Sequence, residues 1–233
     1  VACEIANGKI SGFAGVDINF GCPDKAVVKN ECCSALQQPE LRGKALAIIK
    51  ATKDGLGGRL PLSIKTRLGF DSVDYTWHEL LLQQKPATLT VHARTTKQMS
   101  KVPAQWEAIK PIVELRDRIS PETKIVLNGD IMNRTHGEEL AQKYGLDGIM
   151  IGRGVFHNPF CFAEHEPQQL WNGMSREDRI ALFEKHLHLF QDTYPNGERK
   201  FAPLKKFAKI YISEFPSASE LREKIMQTQS VEE

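Results

Sequence analysis

The sequence predicts an α/β fold built on a parallel sheet, followed by a smaller all-α region. Short apolar runs rich in β-branched residues recur along the chain, and longer segments with helical spacing lie between them. This alternation is typical of consecutive βα units, in which a helix returns the chain to the start of the next strand. The strand pattern stops near Pro167, after which only helical segments follow.

The first part of the chain contains five predicted strands and four predicted helices. The strands are 15–19, 62–65, 87–92, 124–128 and 147–151. The helices are 39–54, 73–84, 103–118 and 134–144. Several of these helices open with Pro or Asp, which suit the first helical turn.

In the last third of the chain the sequence predicts three helices, 175–193, 202–213 and 217–227. Ser175 and Asp178 have the spacing of a capping box, with Asp in place of the usual Glu or Gln. We therefore expect two domains, 1–166 and 167–233.

A polar residue or a glycine stands at the carboxyl end of each predicted strand. These residues are Asn19, Lys65, His92, Asn128 and Gly152. In a (β/α) barrel the carboxyl ends of the strands form one rim, where such enzymes place their active sites. The sequence thus predicts that five strands direct functional groups to one place.

Two glycine turns follow the last two strands, Asn128-Gly129-Asp130 and Gly152-Arg153-Gly154. Their backbone N–H groups and the Arg153 guanidinium could hold a phosphate, which eight-stranded barrels bind after strands seven and eight. If the last two predicted strands are the seventh and eighth of such a barrel, the first predicted strand of this sequence is the fourth. The expected fold is therefore a (β/α)8 TIM-barrel type, N-terminally truncated to about five βα units, and Val1 at the first position agrees with this expectation.

Cys22 is the first candidate for chemistry, because it directly follows a strand in Asp17-Ile18-Asn19-Phe20-Gly21-Cys22-Pro23. Gly21 permits close backbone approach and Pro23 stiffens the exit of the loop. The alternative is a small buried cysteine that only packs. Cys32 and Cys33 are expected to be packing residues, since adjacent side chains diverge and neither has a partner at a useful spacing.

Two pairs of basic residues alternate along strands. Lys65 and Arg67 lie two apart, as do His92 and Arg94, so each pair should face one side of the sheet. A basic residue at the end of a strand is often only a solvent-exposed side chain. An isolated His is usually a buried residue whose hydrogen bonds are made within the core. The repetition of the pattern on one rim favours ligand binding.

Composition limits the classes of protein that remain. A formal net charge of +2 does not favour a strongly basic nucleic-acid protein, although a local basic face is compatible with it. Five cysteines without a repeated CxxC spacing argue against a disulfide framework and a zinc site. No run approaches the roughly 20 apolar residues of a membrane span, so we expect a cytoplasmic, monomeric protein without metal or membrane contacts.

The tail carries a basic stretch without acidic residues, interleaved with aromatic ones. Its members are Arg199, Lys200, Phe201, Lys205, Lys206, Phe207, Lys209 and Tyr211. Such a face could neutralise several phosphates of a nucleic acid. A solvated helix face with inward-packed aromatics is the alternative, and composition leaves both open.

An ordered set of motifs resembles the tRNA-dihydrouridine synthases, from Asp17 to about Phe162. The motifs are 17–23 as quoted above, Ser34-Ala35-Leu36, Lys65-Thr66-Arg67-Leu68-Gly69, His92-Ala93-Arg94-Thr95, Asn128-Gly129-Asp130 and Gly152-Arg153. The resemblance implies that FMN, reduced by NADPH, passes a hydride to C6 of a uracil in tRNA. Cys22 would then protonate C5 as the catalytic residue.

The same resemblance implies roles for the other candidates. Lys65 and His92 would hold the flavin ring, and Asn128, Gly129, Asp130, Gly152 and Arg153 its phosphate. Asn19, Arg67 and Arg94 would contact the uridine, and Lys205, Lys206 and Lys209 the tRNA.

The sequence departs from the family pattern at Cys33, where the family usually has Gly before Ser-Ala-Leu. Two other functions remain as competitors. One is a flavin oxidoreductase that resembles dihydroorotate dehydrogenase. The basic tail argues against this function. The other is a non-catalytic tRNA-binding fragment.

Overall fold

The computed structural model describes residues 4, 7–8, 12–165 and 167–231. By internal contacts the chain divides into two compact units, 1–152 and 153–233. The first unit alternates strands and helices, and the described part of the second contains helices only.

The described part of the first unit contains five strands and five α-helices. In chain order they are β1 (Val16–Asn19), α1 (Lys25–Lys29), α2 (Arg42–Leu56), β2 (Leu62–Arg67), α3 (Tyr75–Gln83), β3 (Thr88–His92), α4 (Lys110–Ile119), β4 (Lys124–Asn128), α5 (Arg134–Tyr144) and β5 (Gly148–Met150). Three short 3-10 helices, Cys33–Gln37, Pro39–Leu41 and Trp106–Ile109, complete the unit.

The strands form one parallel five-stranded sheet in the order β1-β2-β3-β4-β5. Each strand pairs with its neighbour in the sequence, as successive right-handed βα units require. The predicted α/β class and parallel sheet are therefore confirmed, and all five predicted strands are present within three residues of their predicted bounds.

One face of the sheet packs against the helices. Its central residues, Ile64, Leu89, Val91, Ile125 and Leu127, are fully buried. The helical residues Ile49, Trp77, Leu81 and Ile112 are also fully buried and belong to the same cluster. Burial of this apolar surface stabilises the unit and fixes which residues point to the opposite face.

The helix limits follow local capping chemistry where it exists. Asn133 accepts a hydrogen bond from the His136 N–H at 2.9 Å, and α5 ends at Gly145 with φ 66°, so its bounds agree with the prediction. Helix α2 begins later than predicted because the 3-10 turn Pro39–Leu41 precedes it. Helix α4 is likewise shortened by the 3-10 turn Trp106–Ile109.

The second unit contains a 3-10 helix, Arg153–Phe156, and five α-helices among its described residues. They are α6 (Pro167–Asn172), α7 (Arg176–Thr193), α8 (Ala202–Lys205), α9 (Ala208–Tyr211) and α10 (Ala218–Gln227). Trp171, Phe183, Tyr211 and Ile212 are buried together as its core. The predicted cap of α7 is present, since the Ser175 side chain accepts a hydrogen bond from the Asp178 N–H at 3.0 Å.

One predicted helix of the tail is wrong as a continuous element. The segment 202–213 forms two short helices, α8 and α9. The Phe207 N–H bonds to the Leu204 carbonyl and the Ile210 N–H to the Phe207 carbonyl, both at 2.9 Å. These i to i+3 bonds tighten the chain between the two helices.

Candidate active site

The register of the sheet brings the predicted strand-end residues onto one face. Asn19 pairs with Lys65, Arg67 pairs with His92, and His92 pairs with Asn128. Residues paired across parallel strands share a face, and so do residues two apart along one strand. These five side chains therefore form two adjoining rows at the carboxyl edge, opposite the helix-covered face.

Lys65 and His92 lie in an environment that disfavours positive charge. Partial burial, with the nearby Arg67 charge, lowers the pKa of Lys65 to about 8. Burial, with the charges of Arg67, Lys65 and Arg94, lowers the pKa of His92 to about 3. The imidazole is consequently neutral at physiological pH, beside a lysine that is still mostly protonated.

The hydrogen bonds of His92 define its tautomer. The Arg94 guanidinium can only donate, and its Nη1 lies 3.4 Å from Nε2 of His92. Nε2 therefore accepts and Nδ1 carries the proton. This Nδ1 is buried and has no hydrogen-bond partner among the described residues, which leaves a donor available for a ligand.

Four side chains hold the loop that carries Cys22. The Asn19 side-chain oxygen accepts from the Gly21 N–H at 2.9 Å, and Arg67 donates to the Gly21 carbonyl at 2.7 Å. Gln37 donates to the Phe20 carbonyl at 2.9 Å, and the Ser34 hydroxyl to the Cys22 carbonyl at 2.6 Å. The Cys22 side chain is half-buried at the end of this loop.

Arg67 is predicted as a substrate contact, but its guanidinium is largely occupied by the protein. Besides Gly21, it donates to the carbonyls of Thr95 at 3.2 Å and Met99 at 2.8 Å. It is buried, and this burial, with the charge of Arg94, lowers its pKa to about 10. Its described contacts thus join the end of β2 to two separate loops at the sheet edge, one after β1 and one after β3.

Arg94 is buried and has a similar set of internal contacts. It donates to the Val102 carbonyl at 2.6 Å and forms an ion pair with Asp130. Asp130 also accepts from the Ala104 N–H at 3.0 Å. Arg94 therefore links the end of β3 to the turn after β4.

The turn after β4 contains two consecutive residues with positive φ. Gly129 has φ 119° and Asp130 has φ 52°. A Cβ at Gly129 would meet the His92 ring at 3.4 Å, and the indole N–H of Trp106 bonds the Gly129 carbonyl at 2.8 Å. Glycine is thus required for this turn to approach His92.

Asn128 is tied to the next strand, because its side-chain amide donates to the Met150 carbonyl at 2.8 Å. Gly152 lies beside that amide, with 3.9 Å between a Cβ built on Gly152 and Nδ2 of Asn128. Both turns predicted to hold a phosphate therefore start close together at the sheet edge. Arg153 begins the second unit in the 3-10 helix Arg153–Phe156.

The basic residues of the tail divide into two groups. Arg199, Lys200, Lys206 and Lys209 are exposed. Lys205 is buried, and its ammonium donates to the carbonyls of Met226 at 2.9 Å and Thr228 at 2.8 Å. Lys205 therefore joins α8 to the end of α10 and is not part of the exposed basic surface.

A cavity of about 590 Å³ lies beside the exposed lysines Lys206 and Lys209. Phe156 and Phe207 line it, with ring centroids 5.7 Å apart, and Phe156 is 49% exposed. Tyr211, by contrast, is buried in the core of the unit. The cavity combines aromatic faces with positive charge, which suits a nucleic-acid base and its phosphate.

The family model for dihydrouridine synthase matches residues 2–233. The chain belongs to the dihydrouridine synthase family. This confirms the resemblance drawn from the ordered motifs between Asp17 and Arg153.

Several curated relatives of this family member are similar over nearly its whole length. A probable tRNA-dihydrouridine synthase of Staphylococcus epidermidis is 46% identical over 225 residues, which cover 95% of this chain and 66% of the relative. A protein of the same name from Staphylococcus aureus is 45% identical and covered to 65%. The probable tRNA-dihydrouridine synthase 2 of Bacillus subtilis is 44% identical over 226 residues. The chain thus spans about two thirds of the length of these relatives.

Sequence reasoning about this dihydrouridine synthase family member missed Gln37 and the positioning role of Ser34. Both are buried polar residues in the 3-10 helix Cys33–Gln37. Ser34 opens the Ser34-Ala35-Leu36 motif and Gln37 directly follows it, and neither residue is part of a periodic pattern. Only a contact across 17 residues, from Gln37 to Phe20, reveals what Gln37 does.

Two further observations concern the described residues of this family member. No group of three or more His, Cys, Asp or Glu side chains among them is arranged to hold a metal ion. None of the helices in the described ranges combines the length and the apolar character of a membrane-crossing segment.

Proposed function

We propose that this chain supplies the catalytic surface of a flavin-dependent tRNA-dihydrouridine synthase, which reduces the C5–C6 double bond of a uridine in tRNA. The observation that carries this proposal is the placement of Cys22, Lys65 and His92 at one carboxyl edge of the sheet, in a chain of the dihydrouridine synthase family. We further propose that its five βα units belong to a (β/α)8 TIM-barrel type fold, which places active sites at this edge.

The residues at the edge fit an FMN cofactor. The buried Nδ1–H of His92 has no acceptor in the part of the chain that the structure describes, and a flavin ring could provide one. The half-buried Lys65 could donate to the same ring, and the turns at Asn128-Gly129-Asp130 and Gly152-Arg153 could hold its phosphate. When bound, FMN reduced by NADPH would supply the hydride that C6 of the uracil receives.

Cys22 is proposed as the proton donor to C5 of the uracil. A saturated C5–C6 bond requires one proton in addition to one hydride, and a thiol at the rim can give it. The bonds from Asn19, Arg67 and Ser34 to the loop fix the backbone on both sides of Cys22. Such positioning is what a proton transfer at a defined atom requires.

The roles of Asn19, Arg67 and Arg94 toward the uridine remain proposals. Their described contacts support an indirect role, in which Asn19 and Arg67 position the Cys22 loop and Arg94 positions the phosphate turn through Asp130. Any contact to the base would use the remaining donors of these side chains.

We propose that the helical tail binds the tRNA, with 1–166 as the catalytic domain and 167–233 as the RNA-binding domain. The exposed Lys206 and Lys209 beside Phe156 and Phe207 support this assignment. Lys205 contributes indirectly, by holding α8 against the end of α10. Extrusion of a uracil from folded tRNA costs a few kcal/mol, which phosphate contacts of the tail would offset. Action on tRNA also implies a cytoplasmic protein, and we propose a monomer.

The test measures the flavin absorbance of the chain after addition of FMN and removal of the excess, and then uridine reduction in tRNA with NADPH. We expect bound flavin in the wild type and in Cys22→Ala, and turnover in the wild type but not in Cys22→Ala. The buried Cys161, in the second unit, gives the control Cys161→Ala, which should retain turnover.

Two outcomes would contradict the proposal. A chain that stays colourless but still binds tRNA would be a non-catalytic tRNA-binding fragment. Equal turnover in Cys22→Ala and the wild type would show that Cys22 does not take part in the reaction.

A further inference from the structure

The loop that carries Cys22 is held from two sides by other segments of the first unit. On one side lies the 3-10 helix Cys33–Gln37, whose Ser34 and Gln37 side chains donate to backbone carbonyls of the loop at 2.6 and 2.9 Å. On the other side, Arg67 at the end of β2 donates to a third carbonyl of the loop at 2.7 Å. The position of Cys22 therefore depends on what holds this 3-10 helix and the end of β2.

Arg42, at the start of α2, holds the carboxyl end of this 3-10 helix. Its Nε donates at 3.2 Å to the carbonyl of Gln37, at the helix end where carbonyls lack partners within the helix. The rest of the guanidinium reaches the start of α3, where Nη1 donates to the Thr76 hydroxyl at 2.9 Å and Nη2 forms an ion pair with Asp74. Arg42 therefore connects one support of Cys22 to helix α3.

The two carboxylate oxygens of Asp74 make separate contacts. Oδ1 caps α3, because it accepts from the N–H groups of Thr76 at 3.0 Å and Trp77 at 3.3 Å. Oδ2 pairs with Arg42, and the exposed fraction of the two side chains is only 30% for Asp74 and 18% for Arg42. Burial alone would raise the pKa of Asp74, but the Thr76 hydrogen bond and the Arg42 charge lower it below its ordinary value. The carboxylate is therefore charged at neutral pH.

The first turn of α3 also contacts the other support of the loop. The fully buried His78 ring lies between two backbone carbonyls, with Nε2 3.0 Å from the oxygen of Arg67 and Nδ1 2.9 Å from that of Asp74. Carbonyl oxygens only accept, so the neutral ring donates to one of them. In either tautomer it lies between the end of β2 and the start of α3. Both supports of Cys22 thus lead to the amino end of the same helix.

We propose that Asp74 and Arg42 are positioning residues for Cys22, which act together through the 3-10 helix Cys33–Gln37. Their ion pair fixes the guanidinium that holds the Gln37 carbonyl, so the loss of either charge releases that end of the 3-10 helix. The effect on the loop follows from these contacts alone. An effect on turnover rests on the proposed role of Cys22 as proton donor.

The experiment compares Asp74→Asn with the wild type. Asparagine is as good a helix cap as aspartate, and its oxygen can keep the bonds to Thr76 and Trp77, so α3 should still form. Its amide nitrogen carries no charge and cannot accept a hydrogen bond from Arg42. The variant therefore removes the ion pair and leaves the cap in place.

Alkylation of Cys22 by iodoacetamide reports on the loop without requiring activity. Trypsin releases Cys22 on peptide 10–25, which contains no other cysteine, so mass spectrometry can follow its modification. We expect alkylation in Asp74→Asn to be about threefold faster than in the wild type, as the loss of one partly exposed ion pair implies. Arg42→Gln should also be faster. The double variant should be no faster than Arg42→Gln alone, because both substitutions break the same contact.

The matched control is Asp147→Asn, which breaks another partly buried ion pair of the first unit. Asp147 pairs with Arg116 and accepts from the Ile125 N–H at 2.8 Å, at the amino edge of the sheet, opposite the edge that carries Cys22. This variant should lower the free energy of unfolding but leave the alkylation of Cys22 at the wild-type rate. A purely structural role of Asp74 would instead make the two variants alike.

Turnover provides a second readout. In Asp74→Asn, kcat for uridine reduction should fall about tenfold at an unchanged KM for tRNA, because a displaced reacting group slows the chemical step without weakening RNA contacts. An unchanged alkylation rate or an unchanged kcat in Asp74→Asn, or equally fast alkylation in Asp147→Asn, would overturn the proposal. If the wild type itself has no turnover, the proposed function fails, while the alkylation rates still decide whether the ion pair positions Cys22.

Discussion

The Nε of Arg67 donates a hydrogen bond to the carbonyl oxygen of Gly21 at 2.7 Å, and so joins the end of β2 to the loop that carries Cys22. The same guanidinium reaches the carbonyls of Thr95 and Met99 beyond β3. One buried cation therefore ties the end of β2 to two loops at the carboxyl edge of the sheet. Their relative positions depend on it.

Arg67→Met should destabilise the first unit and loosen the Cys22 loop. It removes donors from carbonyls that are poorly accessible to water, and a charged hydrogen bond of this kind contributes roughly 1.5 to 3 kcal/mol. We expect a loss of about 3 kcal/mol in the free energy of unfolding, measured by urea denaturation, and a faster alkylation of Cys22 by iodoacetamide. Arg118→Met, at a side chain that is 69% exposed, is the matched control. Equal stability of the two variants would show that Arg67 does not have this structural role.

Gly69→Ala should be strongly destabilising. A Cβ at Gly69 would lie 2.0 Å from the Ser72 carbonyl oxygen, and the residue has φ 155°. The clash involves backbone, so the loop after β2 must shift, at an expected cost of more than about 3 kcal/mol. Gly58→Ala isolates the effect of backbone conformation, because Gly58 has φ 72° but nothing within 4 Å of its Cβ position. Gly58→Ala should lower the free energy of unfolding by only about 1 kcal/mol. Similar losses in both variants would show that the predicted clash at Gly69 has no effect.

The buried His92 should make stability fall as the pH falls. Its folded pKa is about 3 and its ordinary value is 6.5. Between those values the unfolded chain binds a proton that the folded chain does not, so acidification favours unfolding. His92→Asn should show a smaller loss of unfolding free energy between about pH 7 and about pH 5 than the wild type.

The control for this pH dependence is the exposed His157, as His157→Gln. It should follow the wild-type pH profile. The interpretation would be wrong if His92→Asn lost as much stability on acidification as the wild type did.

Reversal of charge at Lys206 and Lys209 should weaken tRNA binding. Both are exposed beside the Phe156 and Phe207 cavity. If each contacts one phosphate, the double Glu variant should lower the slope of log affinity against log salt by about 2. Filter binding at several salt concentrations measures this slope. The double variant Lys185→Glu and Lys224→Glu carries the same charge change on other helices, and an equal effect there would place the RNA elsewhere.

Patterns within a short stretch of sequence determined most elements of this fold. Helix α5 was predicted at its observed bounds because Asn133 caps its start and Gly145 its end, and both signals act on the adjacent turn. The strand ends at Lys65, His92 and Asn128 were predicted to share an edge because parallel strands all point the same way. The ordered motifs were also sufficient to predict the family.

The tertiary structure decided which partners the polar groups have. Arg67 and Lys205 both looked available for a ligand, yet their donors meet backbone carbonyls 21 to 46 residues away along the chain. Adjacent cysteines looked equivalent, but Cys32 is exposed whereas Cys33 is half-buried. Side-chain spacing sets the face of an element, whereas burial and contact depend on how distant segments pack, and no local pattern encodes that packing.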